Sequence, residues 1–161
     1  MVTINGITPG IIFAFALSVV LLACSAFASG SEIAFFSLSP QDINELDNEK
    51  SMIDRSIIAL RDDSERTLAT ILITNDFVNV TVIMVLNYAI NGLVTFHSQW
   101  LQFLVITVLL TFLLLLFGEI MPKVYSRQEP LLFCRKTVRG IMLLRSLFWP
   151  LETLLIKSGI I

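Results

Sequence analysis

Long apolar stretches and short polar ones alternate along this chain, and the stretches are too long for the core of a soluble domain. The first, within the uncharged segment Val2 to Ser31, runs from Ile11 to Ala28. At about 1.5 Å per residue it crosses most of a ~30 Å hydrocarbon core. The second, Leu68 to about Leu93, is apolar but interrupted by Thr70, Thr74, Asn75, Asp76, Asn79 and Thr81. The third, Leu101 to Phe117, is almost entirely apolar and ends at Gly118-Glu119. The pattern predicts an all-α membrane protein with three transmembrane helices, at residues 10–30, 68–93 and 100–121, forming one membrane domain over residues 1–161.

The intervening segments change character. From Ser37 to Arg66, Ile43, Leu46, Ile53, Ile57 and Leu60 recur at roughly helical spacing on a charged background. This predicts connecting helices that lie against the bundle or the headgroups. Pro40, with Ser39 before it and Asp42 soon after, marks a helix start. Pro122 is expected to break the third helix. Beyond it, Leu132, Phe133, Val138, Ile141 and Leu144 mix with Arg135, Lys136, Arg139 and Arg145. That mixture predicts a basic juxtamembrane amphipathic helix, residues 131–161, at an anionic leaflet. Phe148-Trp149-Pro150 reads as an interfacial anchor and a bend, and the ending Gly159-Ile160-Ile161 reads as the close of a membrane part of something longer.

Composition agrees with this pattern and removes whole classes of function. Hydrophobic residues make up 55% of the chain and charged residues 15%, with a mean hydropathy of +0.82. Soluble domains carry roughly 25% charged residues, so a soluble enzyme is excluded. Lys and Arg number 11 against 13 Asp and Glu, which removes the basic surplus of a nucleic-acid binder. Cys24 and Cys134 lie far apart in apolar surroundings and do not suggest a disulfide. Ala26-Phe27-Ala28 resembles a signal-peptidase site, but no basic residue precedes it.

The positive charges also give a topology. Lys50, Arg55, Arg61 and Arg66 lie between the first two spans, and the remaining seven Lys and Arg follow the third. The amino terminus and the loop from Ala89 to Gln99 have none. The positive-inside rule therefore predicts the N-terminus outside and the C-terminus in the cytoplasm.

Polar groups within spans are costly and are functional candidates by default. Ser25 and Ser29 lie four apart on one face of the first helix, with Glu32 one turn further. Asn75 and Asn79 have the same spacing on the second helix, flanked by Asp76, which is either a neighbour of the site or a partner for Arg66. Glu119 ends the third span beside Gly118, where the missing side chain lets backbones approach and exposes a carbonyl. With the predicted topology all three sets lie in the inner half of the bilayer. Hydroxyl, amide, carbonyl and carboxylate oxygens without thiolate or imidazole suit a hard cation such as Mg²⁺, Ca²⁺ or Na⁺. The bland alternatives are interhelical hydrogen bonding by the serines and asparagines, close packing at Gly30 and Gly118, and a Glu119–Lys123 ion pair. An intramembrane serine protease is a third reading and fails, because a serine nucleophile needs a nearby base and the only histidine, His97, falls in the outer loop away from the serines.

Three segments carry a resemblance. Ser25-Ala26-Phe27-Ala28-Ser29-Gly30-Ser31-Glu32, Thr74-Asn75-Asp76-Phe77-Val78-Asn79 and Phe117-Gly118-Glu119-Ile120-Met121-Pro122-Lys123 together resemble the transmembrane domain of the cyclin M/CorC family of magnesium transporters. The resemblance implies a homodimer of three-helix protomers in the bacterial cytoplasmic membrane, each binding a largely dehydrated Mg²⁺ and exchanging it for another cation such as Na⁺. It implies metal ligands from Ser25, Ser29, Asn75, Asn79, and Gly118 or Glu119, and cytoplasmic regulatory CBS and CorC-like domains in the full-length protein. The family's second motif reads Gly-Asn-Asn where this chain has Thr74-Asn75-Asp76, a departure that adds a carboxylate beside the site. Members associated with gliding motility resemble the chain closely, so the alternative is a membrane scaffold or interaction protein without transport activity.

Overall fold

The first apolar run folds as helix α1, Pro9–Phe36. Pro9 opens it, in the turn where a missing N–H costs nothing. The second run forms α4, Ser64–Leu93. The third is α5, Gln99–Leu113, which passes through a π-helical segment, Leu114–Ile120, into α6, Met121–Gln128. These are three helices long and apolar enough to cross a membrane, of 28, 30 and 30 residues. Large side chains such as Phe13, Val19, Leu104 and Phe112 are 60–69% exposed, as expected of helices whose outer faces meet lipid. The computed structural model describes residues 2–49 and 51–158. Lys50 and the terminal Gly159-Ile160-Ile161, both used above, lie outside the described residues.

Between α1 and α4 lie α2, Pro40–Glu49, and α3, Met52–Asp62. The same local device starts both. Ser39 Oγ donates to Asp42 Oδ2 at 2.7 Å and accepts from the Asp42 N–H at 3.2 Å; Ser51 and Asp54 repeat this at 2.6 and 3.1 Å. Each serine satisfies an N–H that the first helical turn leaves without a partner. The expected apolar face is observed, with Leu46, Ile57 and Leu60 buried in a core shared with Ala34, Ile71 and Val138.

Helix α7, Pro130–Lys157, lies across α1, α3 and α4. It buries Leu131, Cys134, Val138 and Ile141, while Leu132, expected on the apolar face, is exposed. Two glycines allow its close approach to α1. A Cβ on Gly30 would come within 2.5 Å of the Phe133 ring, and one on Gly140 within 2.6 Å of the Phe27 ring. Each helix thus receives the other's phenyl group where it has no side chain.

The fold corrects one further expectation and adds detail to others. Pro122 does not break the third span, because it falls in the first turn of α6 directly after the wide π turn, where the ring has room. Pro150 lies inside α7, which continues to Lys157. Arg135 and Arg145 have acidic partners within the protein: Arg135 pairs with Asp54 and Glu45, each at 3.0 Å, and Arg145 pairs with Asp63. Finally, two strands of three residues, β1 (Val2–Ile4) and β2 (Val94–Phe96), pair antiparallel and join the start of α1 to the end of α4. Asn5 fastens this ribbon, its side chain donating to the Gly92 carbonyl at 3.3 Å and to Thr95 Oγ1 at 3.0 Å.

Candidate metal centre

Helices α1 and α4 run antiparallel and pack along their length, and the π segment closes against α1. All three bring polar groups to one level. Ser25 Oγ donates to Asn79 Oδ1 at 2.6 Å and lies 3.5 Å from Asn75 Oδ1. Asn79 Nδ2 in turn donates to Glu119 Oε1 at 3.4 Å. Gly118 sits directly beside Ser25, where a Cβ would meet Ser25 Oγ at 2.8 Å. Of the residues singled out in the sequence, Ser25, Asn75, Asn79, Gly118 and Glu119 are therefore brought together. Ser25, Ser29 and Gly118 are buried, while Asn75, Asn79 and Glu119 are partly open.

Ser29, one turn along α1 from Ser25, differs from the other buried hydroxyls of the bundle. Ser18, Ser31 and Thr74 each donate to the carbonyl four residues earlier, at 2.7 Å in every case. Ser29 Oγ is buried and has no hydrogen-bond partner. An unsatisfied buried hydroxyl costs roughly 1–3 kcal/mol, so the chain tolerates that cost at this one position among the described side chains. Interhelical bonding accounts for Ser25 and Asn79 but not for Ser29.

The π segment supplies a signal that apolar periodicity did not reveal. In an α-helix the Gly118 carbonyl would accept from the N–H of residue 122, and that residue is Pro122, which has none. The widened turn, with the Met121 N–H reaching the Leu116 carbonyl, redirects the backbone at this level. Gly-Glu followed three residues later by Pro is the readable trace of it.

Two neighbouring carboxylates are not where the sequence suggested. Lys123 does not pair with Glu119; its Nζ lies 3.0 Å from Glu32 Oε2, joining α6 to α1 one turn beyond the site. Asp76 does not pair with Arg66, which is 3.8 Å from Asp63. Asp76 is exposed on α4. Among the described residues, no three His, Cys, Asp or Glu side chains form a metal-binding group, so any ion here is held mainly by neutral oxygens with one carboxylate.

Outside the spans, burial alone would raise the Asp54 carboxyl, but the Ser51 hydroxyl, the Arg135 hydrogen bond and the Arg135 charge together hold it below the ordinary carboxylate range. Burial, with the Asp42 charge adding to it, pushes the Cys134 thiol up to about 12. Neither group touches the site.

A metal transporter of Caenorhabditis elegans, cnnm-4, is 32% identical over 124 residues, which cover 74% of this chain and 26% of that protein. The chain thus spans about a quarter of that relative's length. The model of the cyclin M transmembrane N-terminal domain matches residues 16–160. With that match running from within α1 through α7, the chain belongs to the cyclin M transmembrane N-terminal domain family.

Proposed function

We propose that this chain is the membrane domain of a divalent-cation transporter, and that Mg²⁺ is its substrate. The observation that carries the reading is the orphaned Ser29 hydroxyl one turn along α1 from the Ser25–Asn79–Glu119 cluster. A buried oxygen with nothing to bond, on the same helix face as that cluster, suits a cation that arrives and leaves. Ser25, Ser29, Asn75, Asn79 and the Gly118 carbonyl supply neutral ligands, and Glu119 supplies a full negative charge. Mg²⁺ dehydrates reluctantly, so a site that replaces its waters needs such a charge and well-placed oxygens. Membership of the family and the likeness to the worm metal transporter support the same reading.

In this reading the basic segments face the cytoplasm, the β1–β2 ribbon faces outside, and the ion leaves its site by exchange with another cation, with Na⁺ as the first candidate. The chain works as a homodimer. An exposed carboxylate well inside a spanning helix costs roughly 2.5–3.5 kcal/mol against lipid, and a second copy would cover Asp76, which is exposed in this single chain. Light scattering in detergent that returned a monomer would contradict the dimer.

Titrating Mg²⁺ into the purified chain while following its melting tests the site. The wild type gains a saturable stabilisation and Glu119→Ala does not. An unchanged shift in that variant would sink the assignment of Glu119. The alternative reading, a scaffold in which these polar groups only hold helices together, predicts equal melting with and without Mg²⁺ in every variant.

A further inference from the structure

Glu32 and Lys123 bridge α1 and α6 one turn from Ser29 and Glu119 respectively, on the side of α2 and α3. Both side chains are partly exposed, at 27% and 35%. Lys123 also lies four residues after Glu119 on a continuous helix, the spacing and order that favour an ion pair along a helix face. One ammonium group on a four-carbon stem thus has two carboxylates within reach, one at the metal site and one outside it. In this structure it is committed to Glu32, and Glu119 keeps only the Asn79 amide among its described partners.

We infer that Lys123 is a tethered cation that exchanges between Glu32 and Glu119, competing with the transported ion for the Glu119 carboxylate. The inference rests on the metal-site reading proposed above and adds a positioning residue to it. While a divalent cation occupies Glu119, Lys123 is held aside by Glu32. When the cation leaves, the ammonium group can neutralise Glu119, which would otherwise be a charge partly withdrawn from water. Glu32 therefore acts as the parking place that keeps Lys123 from shutting the site. Competition from a built-in cation lowers affinity, and so eases release of an ion that binds through a full charge.

The test is a double-mutant cycle on Mg²⁺ affinity, measured by titration calorimetry on the purified chain. Glu32→Gln frees Lys123 and is expected to weaken binding about three- to fivefold, the scale of a partly exposed ion pair. Lys123→Gln removes the competitor and is expected to bind at least as tightly as wild type. In the Lys123→Gln background, Glu32→Gln is expected to have no effect. A plain field effect of two charges predicts instead that the two changes add, and additivity would overturn the exchange. A purely structural ion pair predicts weaker binding from both single variants, which would overturn it equally. Should Glu32→Gln fail to fold, Lys123→Gln alone still decides, since weaker binding there contradicts competition. Wild type without saturable binding would overturn the metal site itself and the exchange with it; saturable wild-type binding with an additive cycle overturns the exchange alone.

Discussion

Substituting Gly118 by Ala separates a packing role for this glycine from a role in the metal site. The added Cβ would meet Ser25 Oγ at 2.8 Å, too close for a carbon and an oxygen, and Ser25 Oγ is the flexible partner that must give. Turning it away breaks its 2.6 Å bond to Asn79. A lost hydrogen bond with its groups left buried costs about 1–3 kcal/mol. Alanine recovers about 0.5–1 kcal/mol over glycine in a helix. The net effect without metal is therefore a modest loss, of order 1 kcal/mol. The effect with metal is larger in kind. At a concentration about a hundred times Kd, a bound ion stabilises the fold by about 2.7 kcal/mol, and Gly118→Ala should lose most of that gain because Ser25 no longer faces the site. Gly140→Ala is the matched control. Its Cβ meets the Phe27 ring at 2.6 Å, so it should destabilise by about 1–3 kcal/mol through overpacking, yet keep the full Mg²⁺-dependent shift. Thermal melts of both variants with EDTA and with saturating Mg²⁺ give the comparison. Equal Mg²⁺ shifts in the two variants would refute the assignment of Gly118 and Ser25 to the site.

Two other outcomes follow from particular contacts. Ser29→Ala removes a hydroxyl that bonds nothing, so it should leave melting in EDTA unchanged or slightly raised while reducing the Mg²⁺ shift; a clear loss of stability in EDTA would mean that Ser29 is an interhelical tie. Arg135→Met leaves the buried Asp54 carboxylate without its cation, at a cost of about 2–4 kcal/mol, toward or below the low end for a buried pair because Arg135 is partly exposed. Since the Asp54 carboxyl is held below its ordinary range, its stabilising contribution is present above a pH of about 4 and is lost as the pH falls through the lower folded value. Melting against pH should show that acid-side loss in the wild type and a flatter slope in Arg135→Met; parallel slopes would contradict the clamp.

The spans were legible because apolar stretches of this length, even with the polar interruptions of the second, exceed what a soluble core needs, and Ser25, Asn75, Asn79, Gly118 and Glu119, which the fold brings together, stand out against them. The same reasoning failed where the outcome depends on three-dimensional competition. Pro122 is a helix breaker in isolation, but the π turn before it absorbs the ring. Lys123 has the better local spacing to Glu119 and is nonetheless paired with Glu32, because α1 and α6 lie side by side. Arg135 and Arg145 read as headgroup contacts from their spacing on α7, and only the folded positions of Asp54 and Asp63 reveal other partners. The β1–β2 ribbon is three residues a side, below what a period-two pattern can reveal. Nothing in periodicity distinguishes Ser29 from Ser25; what separates them is which hydroxyl finds an acceptor after packing.

The most direct measurement is Mg²⁺ flux into proteoliposomes holding the purified chain, wild type against Glu119→Ala, with and without an opposing Na⁺ gradient. Wild type should carry Mg²⁺ at a rate that the Na⁺ gradient raises, and Glu119→Ala should fall to the rate of empty vesicles. Wild-type flux no greater than that of empty vesicles, or undiminished flux through Glu119→Ala, would contradict a transport site built on these three helices.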